Sequence, residues 1–266
     1  MVHVLDVNAT SLNSGQAPEV GAGLFGRLDP RTRILAAFAF AAVMVALNGF
    51  AALGAGLAAA AAAMVLAGLP AGPTLRRVAA MDGFILLMIA MLPFTVPGDA
   101  LFTVFGFPAS WQGLLQALRI ALTANAIVLM LLTLVGTMEA VTLGHALHRL
   151  KAPANLVHLL LFTVRYIEVL NQEYIRLRRA MKTRCFRAAN ALHTYRSFGF
   201  LVGMMLVRAL ERSERILLAM KCRGFSGQIP MLADLRFTRR DGAFSLLFAL
   251  LLGLLIALEV FHAGAY

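Results

Sequence analysis

The sequence predicts an all-α fold: a polytopic transmembrane helical bundle with a cytoplasmic pair of amphipathic helices. Three observations lead to this prediction. The 266 residues are 60% hydrophobic and 14% charged, whereas soluble domains carry about a quarter charged residues. Uncharged runs long enough to cross a bilayer alternate with basic clusters. A basic motif also occurs twice within the longest polar segment of the chain.

The lengths of the uncharged runs predict five membrane spans. Ile34 to Leu69 is uncharged over 36 residues, which as one helix would measure about 54 Å against a hydrocarbon core of about 30 Å. The chain must therefore turn back, and Asn48-Gly49 supplies residues that favour a turn. The alanine-rich second span is expected to face other helices, because small residues allow close packing in lipid. The predicted spans are 33–48, 51–69, 82–98, 113–137 and 243–260.

Charge distribution predicts the orientation of these spans. Residues 137–241 contain 18 Lys and Arg against 7 Asp and Glu, whereas the rest of the chain contains 6 of each. The positive-inside rule places that segment in the cytoplasm, with the N-terminus inside and the aromatic-rich loop near Trp111 outside. The division is then a cytoplasmic leader (1–32), a four-span membrane portion (33–136), a cytoplasmic region (137–241) and the last span with the C-terminus (242–266).

The net charge of +11 is explained by contact with the lipid bilayer rather than with nucleic acid, because the basic residues share a chain with membrane spans. The cytoplasmic segment is predicted to form two amphipathic helices, 165–186 and 204–224. In the second, Leu206, Leu210 and Leu217 recur at helical spacing and predict its apolar face. Glu211 and Arg215 are placed as an i,i+4 ion pair on the opposite face.

An internal repeat is the sharpest feature of this segment. Arg176-x-x-x-Ala-Met-Lys-x-Arg-x-Phe186 recurs as Arg215-x-x-x-Ala-Met-Lys-x-Arg-x-Phe225, 39 residues later. Each copy places basic residues at a helix C-terminus, where the macrodipole favours cations, and Gly224 occupies a capping position. Two similar helix ends suit docking into two equivalent grooves of a symmetric partner. The candidate docking residues are Arg184, Arg223, Gly224, Arg176, Lys182, Arg215 and Lys221.

Three stretches of sequence carry a resemblance to a known family. They are Met220-Lys-Cys-Arg-Gly-Phe225, the preceding Arg208-Ala-Leu-Glu-Arg-Ser-Glu-Arg215, and Leu28-Asp-Pro-Arg-Thr-Arg33. Together the chain, from about residue 25 to 260, resembles the T component of energy-coupling-factor transporters, and within it the CbiQ-type subunit of cobalt and nickel importers. In that family two coupling helices each end in an Ala-Arg-Gly signature whose arginine docks on an ATPase subunit.

The resemblance implies the roles of individual residues. Arg184 and Arg223 match the two signature arginines, and Gly224 matches the second glycine. Thr183 and Cys222 stand where the family has alanine, and Cys185 replaces the first glycine. These departures predict a weaker docking contact at the first helix than at the second.

The resemblance also implies a non-catalytic coupling subunit of a multi-pass bacterial inner-membrane importer, with no cofactor. Its expected partners are a dimer of ABC ATPase subunits and a separate membrane subunit (S component) that binds cobalt or nickel. The chain has no Gly-x-x-x-x-Gly-Lys-Ser/Thr motif and is therefore not expected to be the ATPase itself. His145 and His148 have no evident third ligand, so no metal site is predicted, and the methionines are attributed to packing.

Two other functions fit the sequence less well. An integral membrane transferase acting on a lipid or prenyl diphosphate would need clustered aspartates for Mg²⁺, but Asp82, Asp99, Asp234 and Asp241 are scattered singly. A secondary transporter would show repeated sets of spans. Arg119 within the fourth span either has a function or extends to the membrane surface. Asn125 in the same span is predicted to donate a hydrogen bond to another helix.

The five-span topology is testable with reporter fusions that end at Ser110 and at Asp234. A reporter that is active only outside the cytoplasm should be active when joined at Ser110, because this loop is predicted to lie outside. The same reporter joined at Asp234 should be inactive. Placement of both positions on the same side of the membrane would contradict the topology.

Overall fold

The computed structural model describes Gly26 and residues 28–96, 100–104, 107–225 and 238–263. Within these ranges the chain is helical except for one short antiparallel hairpin, which confirms the predicted all-α class and adds the hairpin. The elements are α1 (Pro30–Ala46), α2 (Phe50–Leu66), α3 (Ala71–Thr95), β1 (Ala100–Val104), β2 (Phe107–Ser110), α4 (Trp111–Leu134), α5 (Ala140–Arg149), α6 (Ala154–Thr183), α7 (Leu192–Cys222) and α8 (Arg239–Ala263).

These elements form two compact units. The first contains the described residues up to Glu139 together with α8, and the second contains those from Ala140 to Phe225. In the first unit the predicted turn at Asn48-Gly49 is confirmed, since α1 ends at Ala46 and α2 begins at Phe50.

The helix that contains the third predicted span is longer than the span itself, whose bounds stay a prediction. Helix α3 begins at Ala71 and not near residue 82, so that Arg76 and Arg77 lie inside the helix. Pro70 ends the preceding segment, and Pro73 is tolerated because the first turn of a helix needs no N–H donor there. The segments Gly72–Ala80 and Ile85–Thr95 meet at an angle of 43°.

The spans differ in how well they match the thickness of a bilayer. Trp111–Leu134 and Arg239–Phe261 are long and apolar enough to cross, and α3 adds a third crossing if its two bent segments form one span. Helices α1 and α2 have 17 residues each, which corresponds to about 25 Å and lies at the short end of the range for a crossing. The five-span topology stays a prediction.

The core of the first unit lies where α1, α2, α4 and α8 meet. Phe40, Met44, Leu53, Met130 and Leu255 have almost no exposed surface. The predicted close packing of α2 is confirmed, because its buried positions Ala52, Gly56 and Ala60 are small and lie on one face. Large apolar side chains point outward instead on the opposite faces, with Phe38, Val45, Val65 and Leu247 all more than half exposed. Such a surface is suited to lipid and not to water.

Side chains connect the ends of different helices within this unit. The Ser110 hydroxyl caps α4 by accepting the N–H of Gly113 at 3.1 Å, and it donates to the carbonyl of Val96 at the end of α3 at 2.6 Å. The carboxylate of Glu259, near the end of α8, accepts the N–H groups of Asn48 at 3.0 Å and Gly49 at 2.9 Å, where α2 begins.

The predicted outer loop contains the hairpin, and Trp111 is half exposed. Phe105, which belonged to the same prediction, lies outside the described residues.

The second unit consists of α5, α6 and α7. Helix α5 packs closely on α6, with the leucine side chain of Leu161 against Gly144. The two predicted amphipathic helices, 165–186 and 204–224, are the C-terminal parts of longer helices of 30 and 31 residues. The apolar runs that precede them continue the same helices, because nothing in those runs breaks helical geometry.

The close approach of α3 and α4 makes a testable prediction about Gly113. A Cβ at this position would lie 2.7 Å from the carbonyl oxygen of Leu92 and 2.8 Å from the Cα of Pro93, which are backbone atoms that cannot rotate away. Gly113→Ala should therefore destabilise the protein by about 1–3 kcal/mol. Gly253→Ala is the matched control, since open space surrounds Gly253 and alanine in a helix interior is favoured over glycine by about 0.5–1 kcal/mol. Thermal unfolding in detergent measures both; equal midpoints would contradict the contact.

Candidate docking site at two helix ends

The end of α6 carries the first copy of the repeat. Arg184 is the C-cap residue, and Cys185 follows in the left-handed region with φ of 57°. The N–H of Cys185 donates to the carbonyl of Lys182 at 3.0 Å, and the N–H of Phe186 donates to that of Met181 at 3.1 Å. These two bonds define a Schellman motif, which satisfies carbonyls that the helix itself leaves unpaired.

The end of α7 has the same geometry at the second copy. Arg223 is the C-cap residue, and Gly224 has φ of 78°. The N–H of Gly224 donates to the carbonyl of Lys221 at 3.0 Å, and that of Phe225 donates to the carbonyl of Met220 at 3.1 Å. The prediction that Gly224 caps this helix is confirmed. The sequence repeat is therefore also a repeat of backbone structure.

Despite its departures from the family signature, the first helix end has the same backbone conformation as the second. Cys185 adopts the left-handed backbone that glycine would adopt there, although a side chain makes this region less favourable by roughly 1–2 kcal/mol. Thr183 donates its hydroxyl to the carbonyl of Ala180 at 2.9 Å, within the last turn of α6. Both arginines are consequently presented by the same scaffold.

The predicted docking residues lie on the outside of the second unit. Arg184, Arg223 and Gly224 are exposed, as are the four flanking basic residues Arg176, Lys182, Arg215 and Lys221. Arg176 forms a salt bridge of 3.6 Å with Glu173. Arg215 donates to the backbone carbonyl of Glu211 at 3.4 Å, which differs from the predicted pairing of their side chains.

An ion pair between α6 and α7 was not anticipated from the sequence. Glu173 is buried, with 8% of its surface exposed, and its carboxylate accepts a hydrogen bond from Arg208 of α7. A desolvated carboxylate needs such partners, and Arg176 supplies a second positive charge on the same side chain. The one signal in the sequence was the presence of an acidic residue, Glu173, within a strongly basic segment. The sequence does not indicate its partner, which lies 35 residues away. This contact fixes how the two candidate helices are joined.

The apolar face predicted for α7 is not the face that packs within the second unit. Leu206, Leu210 and Leu217 are 60%, 56% and 46% exposed. Within the second unit the neighbouring face packs instead, with Leu201 buried and with Met205, Ala209 and Ile216 half-buried. These two adjacent faces both carry apolar residues, so the periodicity alone does not select between them.

The other candidates from the sequence have local contacts. Arg119 of α4 donates to the side-chain oxygen of Asn48 at 3.4 Å and lies 5.6 Å from the ring centroid of Phe50, which gives its charge a cation–π partner. The prediction for Asn125 was wrong: its amide donates at 3.1 Å to the carbonyl of Ala121 on the same helix. Among the described residues no group of three His, Cys, Asp or Glu side chains could hold a metal ion, and the expectation for His145 and His148 stays a prediction.

Comparison with known proteins identifies the family. A sequence profile of CbiQ, described as a cobalt transport protein, matches residues 24–232, which is most of the chain. The chain belongs to the CbiQ cobalt transport protein family. Both helix ends lie within the region that matches CbiQ.

Three relatives of this CbiQ family member are informative. It is 33% identical over 102 residues to an uncharacterized protein of Methanocaldococcus jannaschii, a match that covers 38% of each chain. It is 24% identical over 235 residues, 84% of this chain and 89% of the relative, to the energy-coupling factor transporter transmembrane protein EcfT of Brevibacillus brevis. The EcfT protein of Thermosediminibacter oceani is also 24% identical, over 83% of this chain and 88% of the relative. The resemblance to T components of energy-coupling-factor transporters is thereby confirmed, and with it that the chain is a membrane protein.

Two glycines of α7 lead to opposite predictions for a change to alanine, because Gly224 caps the helix and Gly203 lies in its interior. Gly224→Ala should weaken the end of α7 by about 1 kcal/mol, because a side chain is disfavoured at φ of 78°. Gly203→Ala in the interior of the same helix, where open space surrounds the glycine, should instead stabilise it by about 0.5–1 kcal/mol. Cys185→Gly should strengthen the end of α6. Amide hydrogen exchange of the two helix ends, followed by mass spectrometry, reads out all three; faster exchange in Cys185→Gly would contradict the assigned backbone.

Proposed function

We propose that this chain is the transmembrane coupling subunit of an energy-coupling-factor importer and that its two helix ends dock on two ATPase subunits. The observation that supports this most directly is the duplicated Schellman motif, which presents Arg184 and Arg223 in the same way. A symmetric pair of ATPase subunits offers the same groove twice, and two equivalent helix ends match such a pair. ATP hydrolysis by the partners then moves α6 and α7.

The chemistry of the helix ends favours an acidic groove as their target. An arginine at a fixed helix end can form two parallel hydrogen bonds with a carboxylate, an arrangement that lysine cannot reproduce. The arginines are exposed, so their charge is available to a partner. The flanking Lys182 and Lys221 add positive charge that speeds the encounter with such a groove.

The cargo we propose is cobalt, with nickel as the chemically similar second candidate, and it is bound by a separate membrane subunit. The description of the matching family as a cobalt transport protein supports this choice. In this arrangement the present chain is a non-catalytic part of the importer, located in the bacterial inner membrane. The transferase alternative is not favoured by the family to which the chain belongs.

Charge reversal at the two arginines tests the docking assignment. Arg223→Glu and Arg184→Glu should each weaken ATPase binding, because removing one member of a desolvated charge pair costs about 2–5 kcal/mol and the new carboxylate adds repulsion. Arg223→Ala should have a smaller effect. The measurement is co-purification of the ATPase subunits with the membrane-inserted chain, followed by cobalt uptake in cells.

The matched control for this test is Arg196→Glu. Arg196 is an exposed arginine on α7 that lies 5.5 Å from the ring centroid of Phe200 and outside both copies of the repeat. Its reversal makes the same change in net charge and should leave ATPase binding intact. Retention of the ATPase and of full uptake by both Arg184→Glu and Arg223→Glu would refute the assignment.

A further inference from the structure

The N-termini of α1 and α8 share one buried carboxylate. Asp241, in the first turn of α8, has 1% of its surface exposed. One of its oxygens accepts the N–H and the hydroxyl of Thr238 at 2.8 and 2.6 Å. The other accepts the N–H of Asp29 at 2.7 Å. The side chain of Asp241 thus caps the start of α8, as in one half of a capping box, and the same carboxylate also holds the start of α1.

Asp29 is itself the N-cap residue of α1. Its side chain accepts the N–H of Arg31 at 2.9 Å, and its carbonyl accepts the hydroxyl of Thr32 at 2.7 Å. Two helix N-termini, which both carry partial positive charge, therefore meet at two carboxylates that are each more than 90% buried. The partial positive charge of each N-terminus attracts the carboxylates, and the hydrogen bonds fix the geometry of the contact.

The first turn of α1 also reaches the end of α4. Arg33 is 4% exposed and donates through its guanidinium to the hydroxyl of Thr137. That hydroxyl in turn donates to the carbonyl of Thr133 at 3.0 Å, in the last turn of α4. A cation at a helix C-terminus is stabilised by the macrodipole. We call Asp29, Arg33, Thr137 and Asp241 the clasp.

The positions of the clasp residues along the chain suggest a role beyond stability. Only Met138 and Glu139 separate Thr137 from the first residue of the second unit, and Asp241 follows the point at which the described chain resumes at Thr238. One clasp residue therefore lies three residues before the second unit begins, and another lies three residues after the described chain resumes. Both are held by the same turn of α1.

We infer that the clasp transmits motion of the second unit to the membrane helices, and that Arg33 and Asp241 are positioning residues for transport. The clasp holds Thr137 and Asp241, which lie near the two connections between the units. A displacement of α6 and α7 is therefore passed on to α1, α4 and α8, which move as rigid helices. Without the clasp, the residues next to the two connections move relative to the first unit, and the displacement does not reach the membrane helices. The inference rests on the proposed function, since it requires that partner ATPase subunits move the second unit.

The experiment compares cobalt uptake with ATP hydrolysis in the assembled complex. Thr137→Val removes the oxygen that Arg33 contacts while keeping the volume of the side chain, and Asp241→Asn replaces one acceptor oxygen by a donor. A lost hydrogen bond to a charged group shifts the equilibrium between the closed and the open clasp by about tenfold, so each variant should lower uptake per ATP hydrolysed severalfold. ATPase co-purification and hydrolysis should persist. Thr133→Val is the matched control, because Thr133 is buried one turn earlier in α4 and its hydroxyl donates only to the carbonyl of Leu129.

The possible outcomes separate three explanations. Loss of uptake with continued hydrolysis in Thr137→Val, and normal coupling in Thr133→Val, supports the clasp. A parallel fall of uptake, hydrolysis and folded protein in Thr137→Val would overturn it, because the clasp would then serve stability alone; unchanged uptake per ATP would overturn it as well. If Asp241→Asn fails to fold, Thr137→Val decides. Failure of the unaltered chain to retain the ATPase would refute the proposed function instead.

Discussion

Backbone groups at helix ends have no partner within the helix, and where they are buried side chains must supply the missing hydrogen bonds. The first unit meets this constraint with side chains that each serve two helix ends. Ser110 joins the end of α3 to the start of α4, Glu259 joins the end of α8 to the start of α2, and Asp241 joins the starts of α1 and α8. The ends of the bundle are therefore held together by polar contacts that supply partners for backbone groups at the helix ends.

The interior of the same unit contributes in a different way. Lipid is as apolar as a leucine side chain, so burial of apolar surface drives the association of such helices only weakly, and close packing must supply the attraction. Small residues on α2, such as Ala52, Gly56 and Ala60, let its neighbours approach. At Gly113 the backbones of α3 and α4 come within contact distance of a missing Cβ. Contacts inside and polar links at the ends together determine which helices become neighbours.

The sequence was sufficient for features that depend on local pattern, and insufficient for those that depend on pairing. Hydropathy and the repeat predicted the helical class and the cap at Gly224, since both are encoded within a few residues. The pair Glu173–Arg208 and the bond from Asp29 to Asp241 span 35 and 212 residues, so they depend on how helices are arranged. The face of α7 that packs within the second unit depends on pairing in the same way, because adjacent faces of the helix are apolar and the neighbouring helix decides which is covered.

The repeat places one thiol next to each of the two candidate docking arginines. Cys185 directly follows Arg184, Cys222 directly precedes Arg223, and both thiols are exposed. They are the two cysteines of the chain. Nitroxide or fluorescent labels attached to these native thiols would therefore mark both helix ends. Dipolar coupling or resonance energy transfer between them would record the separation of α6 and α7 through a transport cycle in the unaltered sequence.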